Sequence, residues 1–286
     1  MNMKIKEYRT NFIQELSPIY DSGEAESFFY LILEEKNQLK RIDLALNSDL
    51  TFSNEQIQFW NSILDSLKKE IPIQYLLGKT SFYGLDFEVN PAVLIPRPET
   101  EELVEWIIEC NSKIERLKDL KILDIGTGSG CIAISLAKNI VKAEVFAIDV
   151  SEKALATANI NAEINEVNVT FLEKNILETD DLELQFDIIV SNPPYVRELE
   201  KQEIKKNVLD HEPHLALFVE DNDSLVFYRK IAELAQENLS PNGQLFFEIN
   251  QYLGKEMMEL LEKMGFKNIE LRKDIYGNDR MIKGSI

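Results

Sequence analysis

The stretch that most limits how this chain can fold is LKILDIGTGSGCIAISLAKN, residues 120–139. A short apolar run, KILDI, meets a glycine-rich turn and then an apolar run of helical length. A strand of that density is buried on both faces, which places it in a parallel sheet with helical crossovers. Glycines at 126, 128 and 130 let the backbone turn sharply and approach a ligand without Cβ atoms in the way. The loop is not the dinucleotide fingerprint, which needs a glycine where Cys131 stands, and no Gly-Lys-Ser/Thr follows to make a P-loop.

Beyond residue 98 strands and helices alternate. KILDI, EVFAID, VTFLEK, FDIIVS, QLFFEI, NIELR and RMIKGSI read as strands. CIAISLAKN, EKALATANINAEIN and SLVFYRKIAELAQEN read as helices between them. This pattern predicts an α/β fold: a doubly wound, mostly parallel, seven-stranded sheet covered on both faces. Only the turn DIYGNDR separates the last two strands, so the sheet is expected to end in an antiparallel hairpin.

The first part of the chain has a different period. In IKEYRTNFIQEL, Ile5, Tyr8, Phe12 and Leu16 share one helical face. Asp21-Ser22-Gly23 reads as a turn before a second helix that begins at FFYLIL. Ser53 and Gln56 form a capping-box pattern that opens a third, with Trp60, Ile63, Leu64 and Leu67 buried and Pro72 as its stop. No motif of reactive residues appears here. Residues 1–78 are expected to be a helical domain for binding or positioning a substrate. SFYGLDFEV reads as a β-hairpin, within a connector over residues 79–97. A sheet domain then covers residues 98–286, opening with a helix that buries Leu103, Trp106, Ile107 and Cys110.

The composition is that of a globular protein, 44% hydrophobic and 28% charged. No apolar run is long enough for a transmembrane helix or a secretory signal, so no membrane partner is expected. Two cysteines, Cys110 and Cys131, make no disulfide framework, and a cytoplasmic location is expected. The net charge is −19, from 31 basic and 50 acidic side chains. Such a surface repels a polyphosphate backbone, which argues against a nucleic-acid partner and favours a small or basic one.

Two strand ends supply the chemistry. EVFAID ends at Asp149, nineteen residues after Gly130. In a doubly wound sheet a carboxylate there accepts hydrogen bonds from ribose hydroxyls. Capping the next helix suits Ser151 better. The loop and Asp149 together point to an adenosine-containing ligand. Asp124 is placed to anchor the loop by accepting its backbone N–H groups. Asn175 either hydrogen-bonds an adenine amino group or is a loop asparagine ending its strand. The fourth strand delivers SNPPY, residues 191–195, to the same edge. Pro193 and Pro194 remove backbone donors and fix φ, leaving a rigid, acceptor-rich corner. The Asn192 side-chain carbonyl and the Pro193 backbone carbonyl can hold both hydrogens of a planar –NH₂ group. Tyr195 offers a flat face for stacking. Holding both hydrogens turns the nitrogen lone pair toward an electrophile such as a methylsulfonium.

DIGTGSG, AIDVS and SNPPY together resemble the class I S-adenosylmethionine-dependent methyltransferases that act on planar amino nitrogens, a Rossmann-like fold. The whole chain resembles one branch, the peptide chain release factor glutamine methyltransferases. PIQYLLGKTSFYG, VLIPRPETEELVE, EPHLALF, FYRKIA and YGNDRMIKG lie where that family carries similar segments. The resemblance implies methylation of the glutamine amide in the Gly-Gly-Gln motif of bacterial-type release factors, with S-adenosyl-L-methionine as cofactor. It implies cofactor contacts from Gly126, Thr127, Gly128, Ser129, Gly130, Asp149 and Asn192, to which the strand-end reading adds Asn175. It implies a substrate cradle of Asn192, Pro193, Pro194 and Tyr195, with Asn192 and Pro193 as the catalytic pair. The chain departs from the family at Asn175-Ile176, where many relatives carry an Asp and often an aromatic. It departs again at FVEDNDSL and at EINQ, where a glycine commonly follows the EI pair.

Other residues are read more plainly. His211 and His214 are the only histidines, with structural or surface roles expected and no metal. Cys131 sits at a helix start, where a packing role outweighs reactivity. Arg97, between two prolines, either orders the connector or contacts the cofactor carboxylate. The competing functions are an adenine amino methyltransferase acting on nucleic acid, since the same cradle fits an exocyclic amine, and a non-catalytic binding module.

Overall fold

The computed structural model describes residues 3–112 and 120–286. The chain forms two compact units. One runs to Gly78 and takes in Lys206–His211, and the other holds Lys79–Lys205 and Glu212–Ile286.

In the first unit, β1 (Met3–Lys4) pairs antiparallel with β2 (Thr51–Phe52). Helix α1 (Ile5–Leu16) buries Ile5, Tyr8, Phe12 and Leu16, the face selected by the spacing. Helix α2 (Ser22–Asn37) starts earlier than the sequence suggested. The Asp21 carboxylate accepts the Glu24 N–H at 2.8 Å, and this cap draws Ser22 and Gly23 into the first turn. After α3 (Arg41–Leu46), α4 (Asn54–Leu67) opens on the expected capping box. Ser53 Oγ accepts the Gln56 N–H at 3.2 Å and Gln56 Oε1 accepts the Ser53 N–H at 2.8 Å. Pro72 does not stop α4. The helix ends at Leu67, Glu70 turns the chain with a left-handed φ of 59°, and Pro72 starts α5 (Ile73–Leu77), as suits a residue with no N–H to lose.

Trp60 is fully buried at the centre of this unit, with the Phe29 and Phe52 rings 4.8 and 5.1 Å away. Residues Lys206–His211 join the unit through His211 Nε2, 2.9 Å from the Lys69 carbonyl, and a Lys206–Glu70 ion pair at 3.2 Å.

The second unit opens with the predicted hairpin, β3 (Lys79–Phe82) against β4 (Leu85–Glu88). Helix α6 (Pro98–Ser112) follows and buries Leu103, Trp106 and Ile107, while Cys110 is half-buried. The alternating part then runs through β5 (Leu120–Ile125), α7 (Cys131–Asn139), β6 (Ala143–Asp149), α8 (Glu152–Ile164), β7 (Val169–Glu173) and β8 (Phe186–Ser191). A short pair, β9 (Val196–Arg197) and β10 (Phe218–Val219), brackets α9 (Lys206–His211). The chain closes with α10 (Val226–Asn238), β11 (Leu239–Glu248), α11 (Gly254–Lys263), β12 (Lys267–Lys273) and β13 (Asp279–Ser285).

Among the described residues the central sheet has seven strands in the order β12-β13-β11-β8-β5-β6-β7. Strands β11, β8, β5, β6 and β7 are parallel, and β13 inserts antiparallel between β11 and β12. This is the sheet and terminal hairpin that the alternation predicts. The β9–β10 pair escaped prediction because two-residue strands carry no period.

The hairpin is held to this unit by buried amides on α8. Asn161 is fully buried; its Oδ1 accepts the Glu88 N–H, and its Nδ2 donates to the carbonyls of Glu88 and Ser129. Asn165 Nδ2 donates to the Asp86 carbonyl. No helix among the described residues is long and apolar enough to cross a membrane.

Replacing Trp60 by Ala should destabilise the first unit by about 3–5 kcal/mol, the usual effect of emptying an aromatic core. Hydrogen exchange checks this. Amides of α1, α2 and α4 should exchange faster while those of β5 and β8 keep their protection, and an equal loss in both units would contradict the division.

Candidate active site

The C-terminal ends of β5, β6, β7 and β8 surround one cavity, with walls added by residues 92–100 and 213–216. Strand β5 lies between β6 and β8, so the crossovers leaving β5 and β8 diverge and open a crevice at that edge. Gly126, Thr127, Gly128, Ser129, Asp149, Asn175, Asn192, Pro193 and Pro194 all line it. The structure therefore brings together most of the residues singled out from the sequence.

Backbone and side-chain bonds fix the glycine loop. The N–H groups of Gly126 and Thr127 both donate to the Ile148 carbonyl, at 2.9 and 3.1 Å, extending the β5–β6 ladder past the strand. Asp149 Oδ2 accepts the Gly128 N–H at 2.8 Å and its Oδ1 accepts the Ser151 N–H at 2.9 Å. Each carboxylate oxygen still has acceptor capacity toward the cavity. Ser151, as expected, caps α8 by accepting the Ala154 N–H at 3.2 Å.

Gly128 has a φ of +56°, and a Cβ built there meets no protein atom within 4 Å. That empty direction belongs to a cavity-lining residue, so the loop leaves room for a ligand against its backbone. Gly130 differs. It is not in the lining, and a Cβ there would come within 2.8 Å of Ile134 Cδ1 and 3.1 Å of Ala158 Cβ. Its role is to let α7 and α8 approach.

Asp124 is fully buried and accepts the Thr127 hydroxyl at 2.6 Å. The loop is thus anchored on Asp124 through the Thr127 hydroxyl and not through the backbone N–H groups expected, which at Gly126, Thr127 and Gly128 donate to the Ile148 carbonyl and Asp149 instead. Burial pushes the Asp124 carboxyl up to about 7, and Asp149 adds to the shift, against the Thr127 hydroxyl and the Ala133 N–H. Cys131 is buried and its thiol is pushed up to about 12 by the same desolvation, which leaves it inert as a nucleophile.

Asn175 Oδ1 accepts the Leu177 N–H at 3.1 Å, capping a short turn after β7, and the residue still lines the cavity. Arg97 pairs with Glu212, whose other oxygen accepts the Ile95 N–H at 3.1 Å. The pair ties the proline connector to the segment after α9, so Arg97 orders the connector. His214 stacks edge-on against Phe218 at 5.2 Å.

At the end of β8 the Ser191 hydroxyl donates to the Ile125 carbonyl at 2.7 Å, locking the two strand ends together. Asn192 Nδ2 donates to Thr100 Oγ1 at 3.4 Å. Tyr195 stands apart from the cavity lining. Its hydroxyl reaches Glu248 Oε1 at 3.3 Å, and its ring packs with the core beside α10 and β11. The flat face expected to stack on a substrate serves packing in this arrangement. The sequence also missed Thr100 and Glu248, because a threonine in a first helical turn and a glutamate ending an apolar strand carry no motif. Asn250, in the EINQ departure, donates to the Tyr195 carbonyl at 3.2 Å and to Glu200 Oε2 at 3.0 Å. The Asn250 side chain thereby fixes the backbone at the end of SNPPY.

Asp124 gives a pH test. Its folded value lies above the unfolded 3.8, so between about pH 4 and about pH 7 the folded chain holds the extra proton, and this group's contribution to stability falls as pH rises. Asp124→Asn should gain on the unsubstituted chain across that window, by at most on the order of 4 kcal/mol. Urea midpoints of both at about pH 5 and about pH 8 measure it, and a difference independent of pH would contradict the burial argument.

Comparison with known proteins agrees with this layout. The family model described as "PrmC N-terminal domain" matches residues 7–78, and "Methyltransferase small domain" matches residues 109–215. The chain is 70% identical to a release factor glutamine methyltransferase of Flavobacterium psychrophilum, over 98% of this chain and 99% of that one. It is 46% identical to the protein of the same name from Bacteroides thetaiotaomicron, over 94% and 95% of the two chains. Among solved structures, a 16S rRNA N2 G1207 methyltransferase of T. thermophilus, in complex with AdoMet and guanosine, superposes with a TM-score of 0.53. That match covers 72% of this chain and 49% of the other, at 22% identity, and bears on the fold alone. On identity over almost its whole length, the chain belongs to the release factor glutamine methyltransferase family.

Proposed function

We propose that this chain methylates the side-chain amide nitrogen of the glutamine in the Gly-Gly-Gln motif of bacterial-type peptide chain release factors, with S-adenosylmethionine as methyl donor. The observation that carries this reading is the placement of Asn192 and Pro193 in one cavity wall beside the glycine loop and Asp149.

The cavity suits the donor. Gly126 to Ser129 present backbone with no Cβ barrier at Gly128, Asp149 has acceptor capacity for ribose hydroxyls, and Asn175 stands at the rim of the same space. When bound, S-adenosylmethionine supplies an electrophilic methyl carbon on a positively charged sulfur.

The remaining work falls to the chain's own residues. An amide nitrogen is a poor nucleophile because its lone pair is delocalised into the carbonyl. The Asn192 Oδ1 and the Pro193 carbonyl accept its two hydrogens and let the nitrogen turn out of the amide plane. Much of the rate gain then comes from holding nitrogen and carbon in line, roughly 3–3.5 Å apart. As the N–C bond formed and the methyl–sulfur bond broke, with the neutral thioether leaving, positive charge would grow on the nitrogen, and the two oxygens would stabilise it before one proton is lost to water. Carboxamide and peptide oxygens are too weakly basic to take that proton themselves.

The helical unit is proposed as the part that grips the release factor, with a site of action in the cytoplasm. Its α3 exposes Ile42 and Leu46, one turn apart on one face, at 57% and 80% of their surfaces. An apolar i, i+4 pair is a common anchor for a protein partner. A chain of net charge −19 also suits a basic partner surface better than a nucleic acid.

Labelled S-adenosylmethionine offered with release factor and, separately, with DNA tests the activity, and mass spectrometry locates the added methyl group. Label in DNA alone would overturn the reading. Asn192→Ala should keep most of its cofactor affinity and lose roughly 10²–10³ in turnover, the cost of one transition-state hydrogen bond. Replacing Ile42 and Leu46 together by Lys should raise KM for intact release factor with little change in kcat, and an unchanged KM would remove α3 from the docking surface.

A further inference from the structure

A carboxamide is nearly symmetric in shape but opposite in chemistry at its two ends. If Asn192 turned over, it would present an NH₂ group where the proposed substrate also presents one, and two donors would face each other. Something must therefore decide which way the side chain points. We propose that Thr100 and Glu248 are positioning residues that fix the polarity of the Asn192 carboxamide, so that its oxygen is the atom offered to the substrate nitrogen. This deepens the proposed reading of the site and rests on it.

The bonds have a direction. Glu248 is buried at the end of β11, and as a carboxylate it only accepts. Thr100, also buried, sits in the first turn of α6 and donates its single hydroxyl proton to Glu248 Oε2 at 2.6 Å. With that proton committed, Thr100 Oγ1 can only accept toward Asn192, and it takes the Nδ2–H at 3.4 Å. Nδ2 is thus turned to Thr100 and Oδ1 is left for a donor. Three segments distant in sequence, ending at α6, β8 and β11, converge on this one chain of bonds. Glu248 touches no cavity surface, so its action on the reaction runs through Thr100.

The groups facing Glu248 keep it in place. Tyr195, after β8, donates its hydroxyl to Oε1 at 3.3 Å, and Tyr228 on α10 donates to the Glu248 backbone carbonyl at 3.2 Å. Arg280 on β13, itself paired to Asp274 at 3.2 Å, and Glu99 on α6 supply the nearby charges. Burial pushes the Glu248 carboxyl above its ordinary range, with Glu99 adding to this and the Thr100 bond, Arg280 and the Tyr195 bond opposing it. As pH falls through that raised value the carboxylate gains a proton and can itself donate. Thr100 is then free to turn, and the polarity at Asn192 is no longer imposed.

The test uses the full-length enzyme with intact release factor and labelled S-adenosylmethionine. Thr100→Val should lower kcat about ten- to a hundredfold, the range for losing a bond in a charge-linked chain, with cofactor Kd and release factor KM little changed. Thr100→Ser should restore most of that loss. Glu248→Gln keeps the size of the side chain and covers the case in which Thr100→Val fails to fold; the unsubstituted enzyme should show an acid limb in kcat, and Glu248→Gln should lose it. Full kcat in Thr100→Val, or an acid limb unchanged in Glu248→Gln, while Asn192→Ala shows its expected loss of turnover, would overturn the positioning role and leave the reading of Asn192 intact. Normal turnover in Asn192→Ala would instead overturn the reading on which it rests.

Discussion

The bond from the Ser191 hydroxyl to the Ile125 carbonyl joins the ends of two parallel strands, β5 and β8, at the point where the site begins. Parallel neighbours cannot be linked by tight turns, so each strand hands its chain to a long crossover. With β6 on one side of β5 and β8 on the other, those crossovers diverge and leave a crevice between the glycine loop and SNPPY. Neither segment could serve the other without this adjacency. A slip of one residue in the Ile125–Ser191 register would turn Asn192 to the opposite face of the sheet.

Around that crevice the molecule relies on neutral amides and hydroxyls more than on ion pairs. Asn161 satisfies a hairpin and a glycine loop at once, and Asn250 braces the Tyr195 carbonyl. Carboxylates near the cavity are buried or spoken for: Asp124 by Thr127, Asp149 by two backbone N–H groups, Glu212 by Arg97 and Ile95, Glu248 by Thr100 and Tyr195. Of these four carboxylates only Asp149 lines the cavity, and the other three stand behind its wall with partners of their own.

Much of the fold could be read from the sequence because its signals are local and periodic. The alternation of apolar strands with helices, the Ser53–Gln56 box and the hairpin around Gly84 each lie within a dozen residues. The cavity lining was legible where motif and strand end coincide, at Gly126 to Ser129, Asp149 and Asn192, while Gly130 of the same motif turned out to serve helix packing. The parts that escaped are of two kinds, element boundaries where two local readings compete and contacts made across the chain. The capping of α2 by Asp21 depends on a side chain turning back on its own helix, and the start assigned to Pro72 depends on where Glu70 bends. The orientation of Tyr195 is decided by Glu248, fifty-three residues away, and the part played by Thr100 by partners at least ninety-two residues distant. Nothing in the neighbourhood of either residue announces those partners.

The excursion through α9 has a further consequence for how the polypeptide is made. The backbone passes between the two units at 78/79, again at 205/206 and once more at 211/212. During synthesis the amino-terminal helices emerge long before the short segment that completes them. Until residue 211 has left the ribosome, the carbonyl of Lys69 and the carboxylate of Glu70 wait without the groups they finally meet. The unit begun first therefore stays unfinished until most of the other has been made, and a cut at Gly78 would not release it whole.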